Sequence, residues 1–100
     1  MITDVIAKKT AEQFYIGVEW APALPAGRTI SSCGVSAVDF VVGTDVSATL
    51  LGSTGGGISG TITTVFIKSG PNHKIYVVAF RAILSNGETL QEDLLVVVDD

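Results

Sequence analysis

The sequence predicts an all-β sandwich, and three observations carry that expectation. Apolar residues alternate with polar ones over short runs, and glycine, proline or asparagine turns separate the runs about every ten residues. The segment KIYVVAFRAILSNGETLQEDLLVVV, Lys74 to Val98, reads as a β-hairpin around Ser85-Asn86-Gly87-Glu88. No stretch keeps a helical period over a convincing length.

The elements follow in chain order. Asp4 to Lys9 reads as a short edge strand, and Thr10-Ala11-Glu12-Gln13 resembles a capping box that starts one helical turn. Phe14, Ile16, Val18 and Trp20 alternate with Tyr15, Gly17 and Glu19, so the next strand ends in a large inward-facing aromatic. Pro22, Pro25 and Gly27 make 21–27 a loop, because proline cannot continue a central ladder. From Thr29 to Val38 the inward set is Cys33, Val35 and Ala37, with Ile30 out of parity, which implies a bulge near the strand start. A short apolar Phe40-Val41-Val42 follows. Val46, Ala48 and Leu50 predict a further strand ending at Leu51. Gly52 to Gly60, the one low-complexity segment, is expected to be a flexible connection. Thr61 to Lys68 is a β-branched strand, and Ser69 to His73 is a turn into the hairpin.

Asn-Gly tolerates the positive φ values of a tight type I′ turn, and such a turn fixes the register of both hairpin strands. Counting outward, Tyr76, Val78, Phe80, Ala82 and Leu84 share one face of the first strand, and Leu90, Leu94, Val96 and Val98 one face of the second. Tyr76 lies where a tyrosine hydroxyl can bond back to a loop main chain. About seven short strands in this order favour an immunoglobulin-like antiparallel β-sandwich with Greek-key connections. Residues 1–13 are expected to form an N-terminal edge strand or flexible arm, and 14–100 the sandwich domain.

Composition bounds the function. The 100 residues suit one domain. Apolar residues make up 47% and charged ones 16%, so part of the apolar surface is expected to be covered by other subunits. A formal charge of −4 and six scattered basic residues disfavour nucleic acid and anionic membranes. The longest apolar runs are strand-sized, well short of the roughly 20 residues of a membrane helix. MITDVIAKKTAEQ lacks the charged start and apolar run of a secretory signal, and a single Cys33 suits a reducing cytoplasm.

Candidate chemistry is sparse. The glycine-rich segment leads into a strand and lacks the lysine of a phosphate-binding loop. Cys33 and His73 are the only thiol and imidazole, and their positions read as a buried apolar side chain and a solvated turn residue. Glu92 and Asp93 are adjacent on a strand and point to opposite faces, which does not suit paired catalytic acids, and Asp99-Asp100 reads as a charged C-terminus. The expectation is a non-enzymatic protein with no catalytic residue, no cofactor and no metal site.

Lys8, Glu12, Trp20, Leu24 with Gly27, Thr29-Ile30, Tyr76, Asn86-Gly87, Thr89 and the strand Leu94 to Val98 occur in an order that resembles the phage fiber-tail adaptor family, small immunoglobulin-like tail proteins of bacteriophages. The chain departs from that pattern at Lys9-Thr10, where Asp-Pro is usual, at Ile16, where an aromatic is common, and in a longer stretch from Gly52 to Lys68. The resemblance implies a virion structural protein of a phage or prophage tail, made in the bacterial cytoplasm. Its implied partners are other tail or fiber proteins; the apolar excess adds a possible homo-oligomer, and the charge and the strand-sized apolar runs lead to the expectation of no nucleic acid and no membrane. The alternative is a surface-displayed carbohydrate-binding or adhesive module, for which Tyr15 is the clearest outward aromatic.

Overall fold

The computed structural model describes residues 2–52 and 56–100. Among these residues seven strands form: β1 (Ile2–Lys8), β2 (Phe14–Glu19), β3 (Ile30–Asp39), β4 (Gly57–Ser59), β5 (Ile62–Ile67), β6 (Lys74–Leu84) and β7 (Thr89–Val98), with one helical turn, α1 (Ser47–Leu50), between β3 and β4. They build a four-stranded sheet in the order β1-β7-β6-β3 and a three-stranded sheet in the order β2-β5-β4. The inner faces bury one shared cluster that includes Ile16, Val18 and Trp20 from one side and Val35, Val78, Phe80, Leu94 and Val96 from the other. The all-β sandwich is therefore what the chain adopts.

Alternation explains this division. Tyr76, Val78, Phe80, Ala82 and Leu84 are buried, as are Leu94, Val96 and Val98, and Leu90 packs partly buried against the cluster. The register Tyr76↔Val96 and Val78↔Leu94 sets those inward residues opposite one another. On β3, Cys33, Val35 and Ala37 face inward, and a register shift between Ile30 and Ser32 supplies the expected bulge. Trp20 is buried with its indole N–H donating to Thr63 Oγ1 at 2.8 Å, so a fully buried hydroxyl and a fully buried ring satisfy each other.

Five local expectations are corrected. The hairpin turn is not type I′. Gly87 has φ +91° but Asn86 stays at negative φ, while Gly87 N–H bonds Leu84 O at 2.9 Å and Leu84 N–H bonds Glu88 O at 2.8 Å. This is a three-residue loop with a left-handed glycine bulge, which needs one positive φ where type I′ needs two. The strand expected at Val46 to Leu51 is a helical turn: Leu50 N–H reaches Val46 O at 2.9 Å, and Asp45 Oδ1 accepts Ser47 N–H at 2.8 Å to start it. Val46 and Leu50 are four residues apart, a helical spacing that alternation over so short a run imitates.

Gly57–Ser59, expected in a flexible connection, pairs with β5 as an edge strand closed by Gly60 at φ +61°. Residues 53–55 of that segment lie outside the described residues. The sheets are not wholly antiparallel, because β1 runs parallel to β7 with Val5↔Leu95 and Ala7↔Val97 in register. Finally, the Tyr76 hydroxyl makes no hydrogen bond to a loop main chain among the described residues. Its ring packs beside Gly70, where a Cβ would sit 3.7 Å from the ring and 3.5 Å from Leu50 Cδ1. Burial, then the nearby Asp39, pushes the Tyr76 phenol up from its ordinary pKa.

Candidate docking surface

The outer face of the four-stranded sheet is built from the residues that alternate against the core. Val5, Leu95, Val77 and Val38 occupy one register row across all four strands. In the next row Ala7, Val97 and Ile75 are in register, and Phe40 N–H extends the row by bonding Ile75 O at 2.9 Å. All eight side chains are apolar. Val5 is 58% exposed and Phe40 52%, and the turn beyond Phe40 carries Val41 at 81% and Val42 at 71%. Val38, Ile75, Val77, Leu95 and Val97 are half-buried between these exposed residues, and with strands about 4.8 Å apart the two rows and the turn span on the order of 300 Å², comparable to the largest apolar patch of an ordinary monomer, which is often functional. A shallow depression of about 200 Å³ at its margin, lined by His73, Lys74, Ile75, Val97, Val98 and Asp99, continues the face.

Asp39 holds the exposed turn in place. Its Oδ1 accepts Val41 N–H at 2.9 Å and Val42 N–H at 3.2 Å, and Oδ2 lies 3.5 Å from Lys74 Nζ. The Val42 and Val41 amides, followed by the Lys74 charge, hold its carboxyl below the usual carboxylate range. The turn thus presents three apolar side chains on a main chain fixed from inside.

The residues singled out for chemistry do not come together. Cys33 is paired with Ala82 on the far half of β6, while His73 precedes Lys74 at its start, so about eight residues of strand, roughly 25 Å, separate thiol from imidazole. His73 is exposed, at φ +58°, with Nδ1 3.3 Å from Asp99 Oδ1. Asp100 accepts the Thr10 N–H and hydroxyl at 3.0–3.1 Å, which ties the C-terminal end to the β1–β2 connection. Glu92 and Asp93 occupy successive positions on β7 opposite Phe80 and Ala79. Among the described residues no three His, Cys, Asp or Glu side chains converge on a metal position, and no helix is long and apolar enough to cross a membrane.

Burial raises the Cys33 thiol pKa above its ordinary 9.0, with Thr63 opposing more weakly. The folded state then binds more protons than the unfolded one above pH 9.0, so this contribution is intact below that pH and fades as pH rises toward the folded value. Urea titrations at pH 8 and pH 10 are expected to show a smaller alkaline loss of stability in Cys33→Ala than in the parent.

A second concavity lies on the outer face of the three-stranded sheet. It is an open groove of about 400 Å³ lined by Tyr15, Gly52, Gly56, Gly57, Thr64, Val65 and Phe66. Tyr15 is 71% exposed and meets Phe66 edge to face, with ring centroids 5.1 Å apart. Three of these lining residues are glycines, and among the described residues Thr64 brings the one hydroxyl besides that of Tyr15.

The residues of the sequence pattern are all framework. Lys8 is buried with Nζ donating to Lys9 O at 2.7 Å and Thr10 O at 3.3 Å, Glu12 Oε1 caps Lys9 N–H at 2.6 Å, Leu24 packs on the core, and Gly27 has φ +78°. Burial lowers the Lys8 pKa, against the opposing charges of Glu12 and Asp100. The family model described as Podophage GP4 fiber-tail adaptor protein gp77 matches residues 8–97, beginning at this lysine. The chain belongs to that fiber-tail adaptor family. No curated protein matches it. Membership in a tail adaptor family gives the apolar outer face its context, since an adaptor works by contact with other proteins. Sequence reasoning did not locate that face. The signal was present in Ile75 to Phe80 and Leu94 to Val98, because strands covered on both faces read as continuous apolar runs where half-solvated strands alternate.

Proposed function

We propose that the chain is a non-enzymatic structural component of a phage virion that docks another tail or fiber protein onto the outer face of its β1-β7-β6-β3 sheet. The carrying observation is the two-row apolar patch, Val5, Leu95, Val77 and Val38 above Ala7, Val97, Ile75 and Phe40, in a chain of this adaptor family. The patch offers no side-chain hydrogen-bonding group, which favours an apolar protein surface over a carbohydrate, whose hydroxyls would lose water without replacement. An immunoglobulin-like Greek-key arrangement is supported by the strand orders β2-β5-β4 and β1-β7-β6-β3, in which consecutive strands β2 and β3, and β5 and β6, lie in opposite sheets. Mass spectrometry of purified virions tests the role. The chain is expected among the tail proteins, and consistent absence from intact particles would overturn it.

A further inference from the structure

Four strands stand at sheet margins: β1 and β3 in one sheet, β2 and β4 in the other. Three of these edges are shielded. Segment 44–47 covers β3, with Asp39 N–H on Thr44 O at 2.9 Å, Val46 N–H on Ala37 O at 2.8 Å and Ala37 N–H on Ser47 Oγ at 2.9 Å. β4 has only three residues, and β1 is irregular between Ile2 and Asp4, where the Asp4 carboxylate takes the Val5 N–H at 2.8 Å. Short strands, bulges and charges are the devices that blunt a sheet edge.

β2 is neither short nor bulged, and its single charge, Glu19, stands at its last position. Its six residues pair with β5 in unbroken register and include no proline. Trp20 N–H donates to Thr61 O at 2.9 Å, so by alternation Phe14, Ile16 and Val18 also direct their main-chain groups to β5. The N–H and C=O groups of Tyr15, Gly17 and Glu19 therefore face the open side. Glu19, the one charge on the strand, is turned back onto its own sheet, its carboxylate accepting Ala21 N–H at 2.8 Å and the Thr61 hydroxyl at 2.6 Å.

We propose that this edge pairs with the same edge of a second copy, antiparallel about a two-fold axis through Gly17, joining two three-stranded sheets into one of six strands. The strand is self-complementary in that register. It is the one alignment in which all three outward residues of each copy meet an outward residue of the other: Gly17 faces Gly17, and Tyr15 faces Glu19 at both ends. Centring the pair on Glu19 would oppose two carboxylates, and centring it on Tyr15 would leave Glu19 unpaired. The pairing does not rest on the tail reading, and it leaves the apolar outer face of the other sheet free.

Sedimentation equilibrium over a concentration series tests the proposal with two variants at exposed Tyr15, a side chain outside the core. The parent mass is expected to rise from 10.4 kDa toward twice that value. Tyr15→Glu sets two carboxylates against each other at both ends and is expected to weaken association about five- to tenfold, whereas Tyr15→Lys places a cation opposite Glu19 and is expected to maintain or tighten it. A parent that stays at one chain up to about millimolar concentration would overturn the proposal. So would variants that weaken association equally, or two variants that leave it unchanged. Absence of the chain from virions would end the tail reading and leave this result standing.

Discussion

Replacing Trp20 with alanine is expected to lower the unfolding free energy by about 3–5 kcal/mol, a large share of the roughly 5–15 kcal/mol that holds a domain of this size folded. The indole is 1% exposed at the end of β2, and its N–H meets the hydroxyl of Thr63, which is wholly buried on β5. Truncation leaves a cavity among side chains already packed at interior density, and it strands that hydroxyl without its donor. Thr63→Val separates the two effects. It keeps the volume, leaves the indole N–H unpaired, and should cost about 1–3 kcal/mol. Urea denaturation followed by tryptophan fluorescence for Thr63→Val, and by circular dichroism for Trp20→Ala, measures both. A Trp20→Ala loss under about 1 kcal/mol would show that the indole is not the centre of this core.

The second large effect falls on docking. Val77 sits in the middle of the outer sheet face, in register with Leu95 on one side and Val38 on the other. Val77 is half-buried on the outer face, so an aspartate there keeps part of its hydration in the free chain, and its poor fit to a strand costs folding about 1 kcal/mol. Closing a protein surface over it buries an unpaired carboxylate, which costs about 3–5 kcal/mol and weakens association by a factor of about 100 or more. Val77→Asp is therefore expected to stay folded but drop out of assembled tails. Ser32→Asp is the matched control, because Ser32 lies on the same outer face of β3 but toward the hairpin end, opposite Ile83 and away from the patch. Quantitative mass spectrometry of particles assembled with each variant reads the difference.

Much of this architecture was legible because local signals agreed with the global fold. Asn86-Gly87 marked the hairpin, and alternation on either side of it assigned Tyr76, Val78 and Phe80 to the interior in the observed register. The turn type was missed because Asn-Gly serves both the two-residue and the three-residue loop, and only the Leu84 to Glu88 hydrogen bonds decide between them. α1 was missed because four residues cannot display a period. β4 was masked by its glycine-rich surroundings, since pairing with Ile62 to Thr64 holds Gly57 to Ser59 extended where intrinsic propensity would not.

The parallel edge strand β1 shows a different limit. Its inward position at Lys8 carries a charge, which argues against burial in any one-dimensional reading. Three dimensions resolve the conflict by giving Nζ the Lys9 and Thr10 carbonyls. The docking face was hidden for a related reason. Val77 and Leu95 are neighbours through the hairpin, but Val5 and Val38 come from distant strands, and only sheet order makes the four one surface.

Cysteine labelling tests that surface most directly. With Cys33 replaced by alanine, Val5→Cys supplies a single thiol at an exposed position of the patch rows. Maleimide is expected to modify it readily in the isolated chain and at least about tenfold more slowly in intact virions, where an apposed protein would exclude water and reagent from the contact. Equal labelling rates in the free chain and in the particle would contradict the account, because the face would then be as open after assembly as before it.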